Sequence, residues 1–199
     1  MHIFEPRYRQ LLRDVLAAPE DQREFGIVAT RVVDHNGRSW YPIGTSARVG
    51  DVDAYPDGRS DITTIGHRRF EVIDILEDGS PYLKARVRWL PEDTESAAED
   101  SATRAAGVRA TALFARYRSL IADDDTDISD LPDDPHLLSF VLTAAVPLPT
   151  QKRQQLLEAP TTLIRLETAC RFLVDEIAAA RLLPSIPLSA ERLQPDQAN

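Results

Sequence analysis

Between residues 25 and 90 one pattern recurs: a short β-branched stretch, then a glycine-bearing turn. Such a rhythm builds antiparallel hairpins and leaves no room for long helices. Residues 25–34 are rich in valine and isoleucine, and His35-Asn36-Gly37 reads as a turn after them. Residues 44–55 are a second extended stretch, closed by Pro56-Asp57-Gly58. Residues 61–65 and 68–76 follow as two further strands, then the turn Glu77-Asp78-Gly79-Ser80. In 82–90, Leu83, Ala85, Val87 and Trp89 face one way; Lys84, Arg86 and Arg88 face the other. One helix precedes this β texture. Pro6 suits a first helical turn, and Tyr8, Leu11, Leu12, Val15 and Leu16 draw one apolar stripe before Pro19. The pattern predicts a small barrel or twisted antiparallel sheet with one covering helix.

The texture changes after an acidic block. Glu92 to Asp100 holds five acids and no base, and reads as a solvated linker. Beyond it, apolar residues recur at helical spacing. Helices are expected over 104–122, 136–146 and 151–158, the last capped by Thr150. A long helix is expected from Thr161 or Thr162 to about 182, carrying Leu163, Leu166, Ala169, Cys170, Leu173 and Ile177 inward. Residues 184–199, rich in proline and serine, read as a flexible tail. The expected organisation is thus α+β: a β-rich subdomain over 1–91, an acidic linker over 92–103, a helical bundle over 104–183 and the tail.

Charge and chemistry narrow the function. Acids outnumber bases 32 to 23, a net charge of −9. Nucleic-acid binding needs the opposite sign, although residues 1–90 taken alone are close to neutral. Asp123 to Asp134 holds seven acids, but a calcium loop needs a central glycine and a closing glutamate, and positions 128 and 134 are Ile and Asp. The single Cys170 excludes an intrachain disulfide and a cysteine zinc site, and it sits on an apolar helical stripe as a small core residue. There is no apolar run near the ~20 residues of a membrane helix and no secretory-signal layout at the start; a cytoplasmic protein is expected.

Enzymatic constellations are missing. Neither Lys84 nor Lys152 follows a glycine-rich turn, so there is no phosphate-binding loop and no Ser–Lys dyad. No Gly-x-Ser-x-Gly elbow, dinucleotide fingerprint or His-x-x-x-His spacing occurs. His67 reads as a solvated turn histidine between strands. No catalytic, metal or cofactor residue is assigned. Binding is the stronger class. Trp40, Tyr41 and Tyr55 flank turns as candidate aromatic anchors. Arg68, Arg69, Arg86 and Arg88 form a candidate basic strip for RNA phosphates or an acidic partner, or else a solvated sheet face.

Several segments together resemble a known family. Ile3-Phe4-Glu5-Pro6-Arg7-Tyr8-Arg9-Gln10-Leu11 followed by Phe25-Gly26-Ile27-Val28 resembles the opening of the Lon N-terminal, or substrate-binding, domain. Ile43-Gly44-Thr45-Ser46-Ala47-Arg48-Val49, Asp57-Gly58-Arg59, Gly66-His67-Arg68-Arg69-Phe70 and Pro81-Tyr82-Leu83 continue it. Lys152-Arg153-Gln154-Gln155-Leu156-Leu157-Glu158 and Arg165-Leu166 match in the helical half. The resemblance implies a PUA-like β subdomain followed by a helical bundle, and a non-catalytic module binding polypeptide segments or a partner protein. It looks like a stand-alone bacterial member without the ATPase and peptidase. An RNA-contacting PUA-like module is the alternative. Which residues form the binding groove stays unassigned. Family members usually start with a Pro-Leu-Phe-Pro-Leu-Gly strand before the Phe-Glu-Pro-Arg segment, so this chain is expected to be short of its first strand. Intact-mass mapping of the native N-terminus checks that; a native chain that starts at Met1, folds cooperatively and stays monomeric refutes it.

Overall fold

The structure, a computed structural model, describes residues 1–33, 37–92, 100–121 and 131–182. The described residues within Met1–Thr94 and Pro147–Thr161 form one compact unit; those within Glu95–Val146 and Thr162–Asn199 form the other. The fold is mixed α+β, with antiparallel strands and no closed barrel among the described residues.

The β unit is organised around two long strands. β5 (Ile43–Ala54) and β6 (Ser60–Leu76) make an antiparallel hairpin. Its turn closes with the Gly58 N–H donating to Tyr55 O at 2.9 Å. Gly58 sits at φ +82°, where a side chain is strained. β2 (Glu24–Ile27) pairs with the other edge of β5. β1 (His2–Ile3) and β7 (Lys84–Trp89) both pair with β6, at opposite ends of it. β3 (Thr30–Val33) and β4 (Gly37–Trp40) form a separate two-stranded sheet. Helix α1 (Pro6–Leu16) covers the sheet with Leu12 and Leu16, which pack with Ile3, Ile62, Phe25, Val49 and Val52. Each such side chain taken from water contributes about 1.5–3 kcal/mol.

Four expectations change here. The stretch 25–34 is two strands in two sheets: β2 pairs with β5 as far as Ile27–Thr45, and the strand from Thr30 pairs with Gly37–Trp40 instead. The stretches 61–65 and 68–76 are one strand of 17 residues. A register shift between the Thr45–Arg69 and Ala47–Gly66 pairs absorbs the Gly66-His67 step, so His67 is inside a strand and not in a turn. Helix α4 (Thr150–Glu158) belongs to the β unit, not to a bundle. Two long-range contacts hold it there. Gln154 Nε2 donates to Ile43 O at 2.9 Å, and Arg69 Nη1 donates to Leu157 O at 2.8 Å and Ala159 O at 2.7 Å. Thr150 does not cap α4; Pro149 occupies that position without a side-chain bond.

The helical unit has three described helices: α2 (Ser101–Ile121), α3 (Pro135–Ala145) and α5 (Thr162–Leu182). α2 starts earlier than the expected 104 because Asp100 Oδ2 accepts from the Thr103 N–H at 2.8 Å and its hydroxyl at 2.6 Å. Asp134 caps α3 by accepting from the N–H groups of His136 and Leu137, with Pro135 at the first turn. Ala106, Ala110, Phe114 and Tyr117 of α2 and Leu166, Leu173 and Ile177 of α5 are buried, and the two helices pack together. Cys170 is buried among them, as its stripe position implies. Arg165 is fully buried, with its guanidinium 4.0 Å from the Phe140 ring centroid and Nη1 donating to Ser139 Oγ at 3.0 Å. No described helix is long and apolar enough to cross a membrane. The Asp123–Asp127 block, residues 93–99 of the expected linker, the turn at 34–36 and the tail lie outside the described residues.

Arg69 generates a prediction. It is 4% exposed and also forks onto the Glu92 carboxylate at 2.7 and 2.9 Å. Arg69→Met removes the guanidinium's bonds to that carboxylate and to two carbonyls, and should cost about 3 kcal/mol in urea unfolding. Arg69→Lys should recover less than half, because an ammonium cannot reproduce the fork.

Candidate functional site

The β unit carries an open, mainly apolar cavity of about 460 Å³. Its walls follow from strand alternation. Ala85, Val87 and Trp89 of β7 line it, while Arg86 and Arg88 sit on the opposite face beside Asp74 and Glu71 of β6. Phe70 and Val72 of β6 continue the apolar wall, and Leu11 of α1 adds to it. Phe70 and Trp89 meet edge to face with centroids 6.0 Å apart. The Phe70 ring lies where Gly26 and Gly44 have no side chain. A Cβ on Gly44 would approach Ile27 O to 2.4 Å and the Phe70 ring to 2.8 Å. The glycines are therefore part of the cavity wall's construction. At the rim, Leu83 is 71% exposed and Trp89 is 42% exposed.

One polar group in the wall is held by a network. Glu24 accepts from His67 Nδ1 at 3.0 Å and from Arg68 Nη2 at 3.4 Å. The Arg68 guanidinium lies 3.8 Å from the Trp89 ring centroid, and the Arg68 backbone N–H donates to Ser46 Oγ at 3.2 Å. Burial pushes the Glu24 carboxyl up, but the hydrogen bonds from His67, Ser46 and Arg68 outweigh it and hold it below its usual value. A general acid needs the reverse shift. Lys84, also in the wall, donates to Asp78 Oδ2 at 2.8 Å, which raises its pKa. The arrangement presents apolar surface with fixed polar groups, suited to holding a side chain or a backbone segment. Among the described residues no cluster of three or more His, Cys, Asp or Glu is placed to hold a metal.

The sequence candidates separate. Trp40 lines the cavity. Tyr41 does not; its ring lies 5.7 Å from the Arg31 guanidinium. Tyr55 is exposed at the β5–β6 turn, where its hydroxyl donates to Asp61 Oδ2 at 2.6 Å. The expected basic strip is not a free positive surface. Arg69 is buried on Glu92, Arg68 pairs with Glu24, Arg86 with Asp74 at 3.8 Å and Arg88 with Glu71. His67 is exposed, as expected, but it lies inside β6 and not in a turn, and it pairs with Glu24. The sequence reading missed Glu24, Phe70 and Leu11. The alternation of Leu83, Ala85, Val87 and Trp89 was the available signal for one wall. Nothing local marks Glu24, whose partners come from β5 and β6.

A family model described as the ATP-dependent protease La (LON) substrate-binding domain matches residues 1–175. The chain is 29% identical over 170 residues to Lon protease 2 of Herpetosiphon aurantiacus, covering 83% of this chain and 21% of that protein. It is 25% identical over 162 residues to Lon protease of Anaeromyxobacter dehalogenans, covering 78% of this chain and 19% of that protein. It thus spans about a fifth of the length of the curated relatives it matches. Among solved structures, a Lon N-terminal domain protein from Xanthomonas campestris aligns with a TM-score of 0.60 at 24% identity, covering 87% of this chain and 86% of that one. The N-terminal domain of Mycobacterium avium complex Lon protease aligns with a TM-score of 0.63 at 20% identity, covering 89% of this chain and 90% of that one. These two likenesses speak to the fold.

The Glu24 network gives a pH prediction. A carboxyl whose folded pKa lies below its unfolded value stabilises the fold above the unfolded value, here about 4.5. That stability is lost as pH falls through the folded pKa. Glu24→Gln should therefore lower stability at pH 7 and flatten its decline below pH 4.5, read by urea unfolding across a pH series. An unchanged acid slope contradicts the network.

Proposed function

Because the chain belongs to the family of Lon substrate-binding domains, we propose that it is a non-catalytic polypeptide-binding module acting in the cytoplasm. The carrying observation is the open apolar cavity walled by Phe70, Val72, Val87 and Trp89 with exposed Leu83 at its rim. Unfolded segments differ from folded surfaces chiefly in exposing large apolar side chains, and such a cavity removes those side chains from water. Aromatic walls give area and shape without a charge that would restrict sequence. The fixed Glu24, Ser46 and Lys84 groups can accept and donate hydrogen bonds to the backbone that carries the apolar side chain. No residue set for peptide hydrolysis or nucleotide binding supports a catalytic reading, and the matched part of the relatives is their substrate-binding domain.

The test uses fluorescein-labelled β-casein, an unfolded protein, in anisotropy titrations. The double variant Leu83→Ser, Trp89→Ala alters exposed rim groups, so its thermal unfolding midpoint should stay within a few degrees. Its casein affinity should fall about tenfold. Unchanged affinity in a folded variant overturns the cavity as the site. Casein should remain intact with and without ATP; cleavage by pure protein overturns the non-catalytic reading.

A further inference from the structure

The polar network beside the cavity is built on a β-bulge. Between the Thr45–Arg69 and Ala47–Gly66 pairs, Ser46 alone stands opposite His67 and Arg68 together. In a regular strand, consecutive side chains leave on opposite faces. The bulge lifts that rule, and both residues reach one carboxylate. His67 Nδ1 holds Glu24 Oε2 at 3.0 Å, and Arg68 Nη2 donates to Oε1 at 3.4 Å. Ser46, buried in β5, ties the bulge to the same group. Its oxygen accepts the Arg68 backbone N–H at 3.2 Å, and its hydroxyl donates to Glu24. Anchored in this way, the Arg68 guanidinium lies over the Trp89 ring, 3.8 Å from its centroid. Arg68 stands behind the cavity wall: Trp89, Glu24, Ser46 and Phe70 line the cavity and Arg68 does not.

Trp89 needs such a support. It is the last residue of β7 and is exposed at the cavity rim, and Phe70 meets its ring edge to face. A ring held at one edge can still change rotamer unless a second surface fixes it. The planar guanidinium supplies that surface, because it stacks on an aromatic face while its edge donates to a carboxylate. The Arg68–Glu24 pair is too open to water, at 45% and 21% exposed, to add much to folding stability. We propose that Arg68 is a positioning residue: aimed by the bulge and by Glu24, it holds Trp89 as a fixed wall of the cavity and does not itself touch the guest. This role rests on the cavity being the polypeptide site. A side chain that is frozen only on binding costs roughly two- to tenfold in affinity. A ring fixed beforehand escapes that cost.

The test reads casein affinity and the Trp89 ring together. Trp40 and Trp89 are the two tryptophans, so protein grown with fluorotryptophan gives one fluorine resonance for each, assigned with Trp40→Phe. Arg68→Ala should leave the thermal unfolding midpoint within a few degrees, shift and narrow the Trp89 resonance, and leave that of Trp40 in place. Its affinity for fluorescein-labelled β-casein should fall about fivefold, through faster dissociation. Introduced into Trp89→Ala, the same change should alter affinity less than about twofold, because Arg68 acts through the ring. Arg68→Lys keeps the charge without the plane and should recover less than half of the loss. Should Arg68→Ala not fold, Arg68→Lys is read by the same measures. An unmoved Trp89 resonance in a folded variant, an equal loss in both backgrounds, or full recovery with lysine overturns the role. If the Leu83→Ser, Trp89→Ala variant binds casein like the unaltered chain, the cavity reading falls and takes this role with it. If that variant loses casein while folded Arg68→Ala keeps it, only the positioning role falls.

Discussion

The β unit depends on one buried guanidinium. Arg69 leaves the middle of β6, forks onto Glu92 just beyond β7, and donates to two carbonyls at the end of α4. Two segments distant in sequence are thereby fixed to one strand. The charge is tolerated because its hydrogen bonds are met. The carboxylate supplies the opposite charge, and the last carbonyls of a helix carry partial negative charge. This is also why helix 150–158 joins the sheet. An amide from Gln154 to Ile43 O, at the start of β5, adds a second tie.

That clamp positions the strands on which the cavity is built. Next to Arg69 in β6, Phe70 turns to the cavity, and its ring fills the space left by Gly26 and Gly44. On the preceding side, Arg68 stacks on Trp89 and reaches Glu24. Three consecutive residues therefore build the clamp, the floor and the rim. The register shift just before them lets this happen. It re-aims the strand so that Arg69 is buried on one side and Phe70 on the other.

Much of the local structure was legible in the sequence. The turns at Gly58 and Gly79 take positive φ, and the 83–89 alternation predicts that Ala85, Val87 and Trp89 meet the cavity, though Lys84 of the other set lines it too. The helical stripes place Phe114, Leu138, Leu166 and Leu173 in their core. The errors share a cause. Gly66-His67 was read as a break because glycine ends many strands, but a neighbouring strand with a compensating bulge carries it through. Sequence left the four arginines as either a basic strip or a solvated sheet face, because their carboxylates lie on other segments: Glu24 is 44 positions from Arg68, and Glu92 is 23 from Arg69.

The sequence by itself determined the two textures, the turn positions, the covering helix and the resemblance to Lon substrate-binding domains. These rest on interactions within a few residues, where period and turn chemistry are direct signals. The tertiary structure decided that α4 packs with the sheet, that the arginines are neutralised and that Glu24 sits in the cavity wall. Each of these depends on pairings between distant segments, and a side chain's partner across a sheet leaves no periodic trace in the chain that carries it.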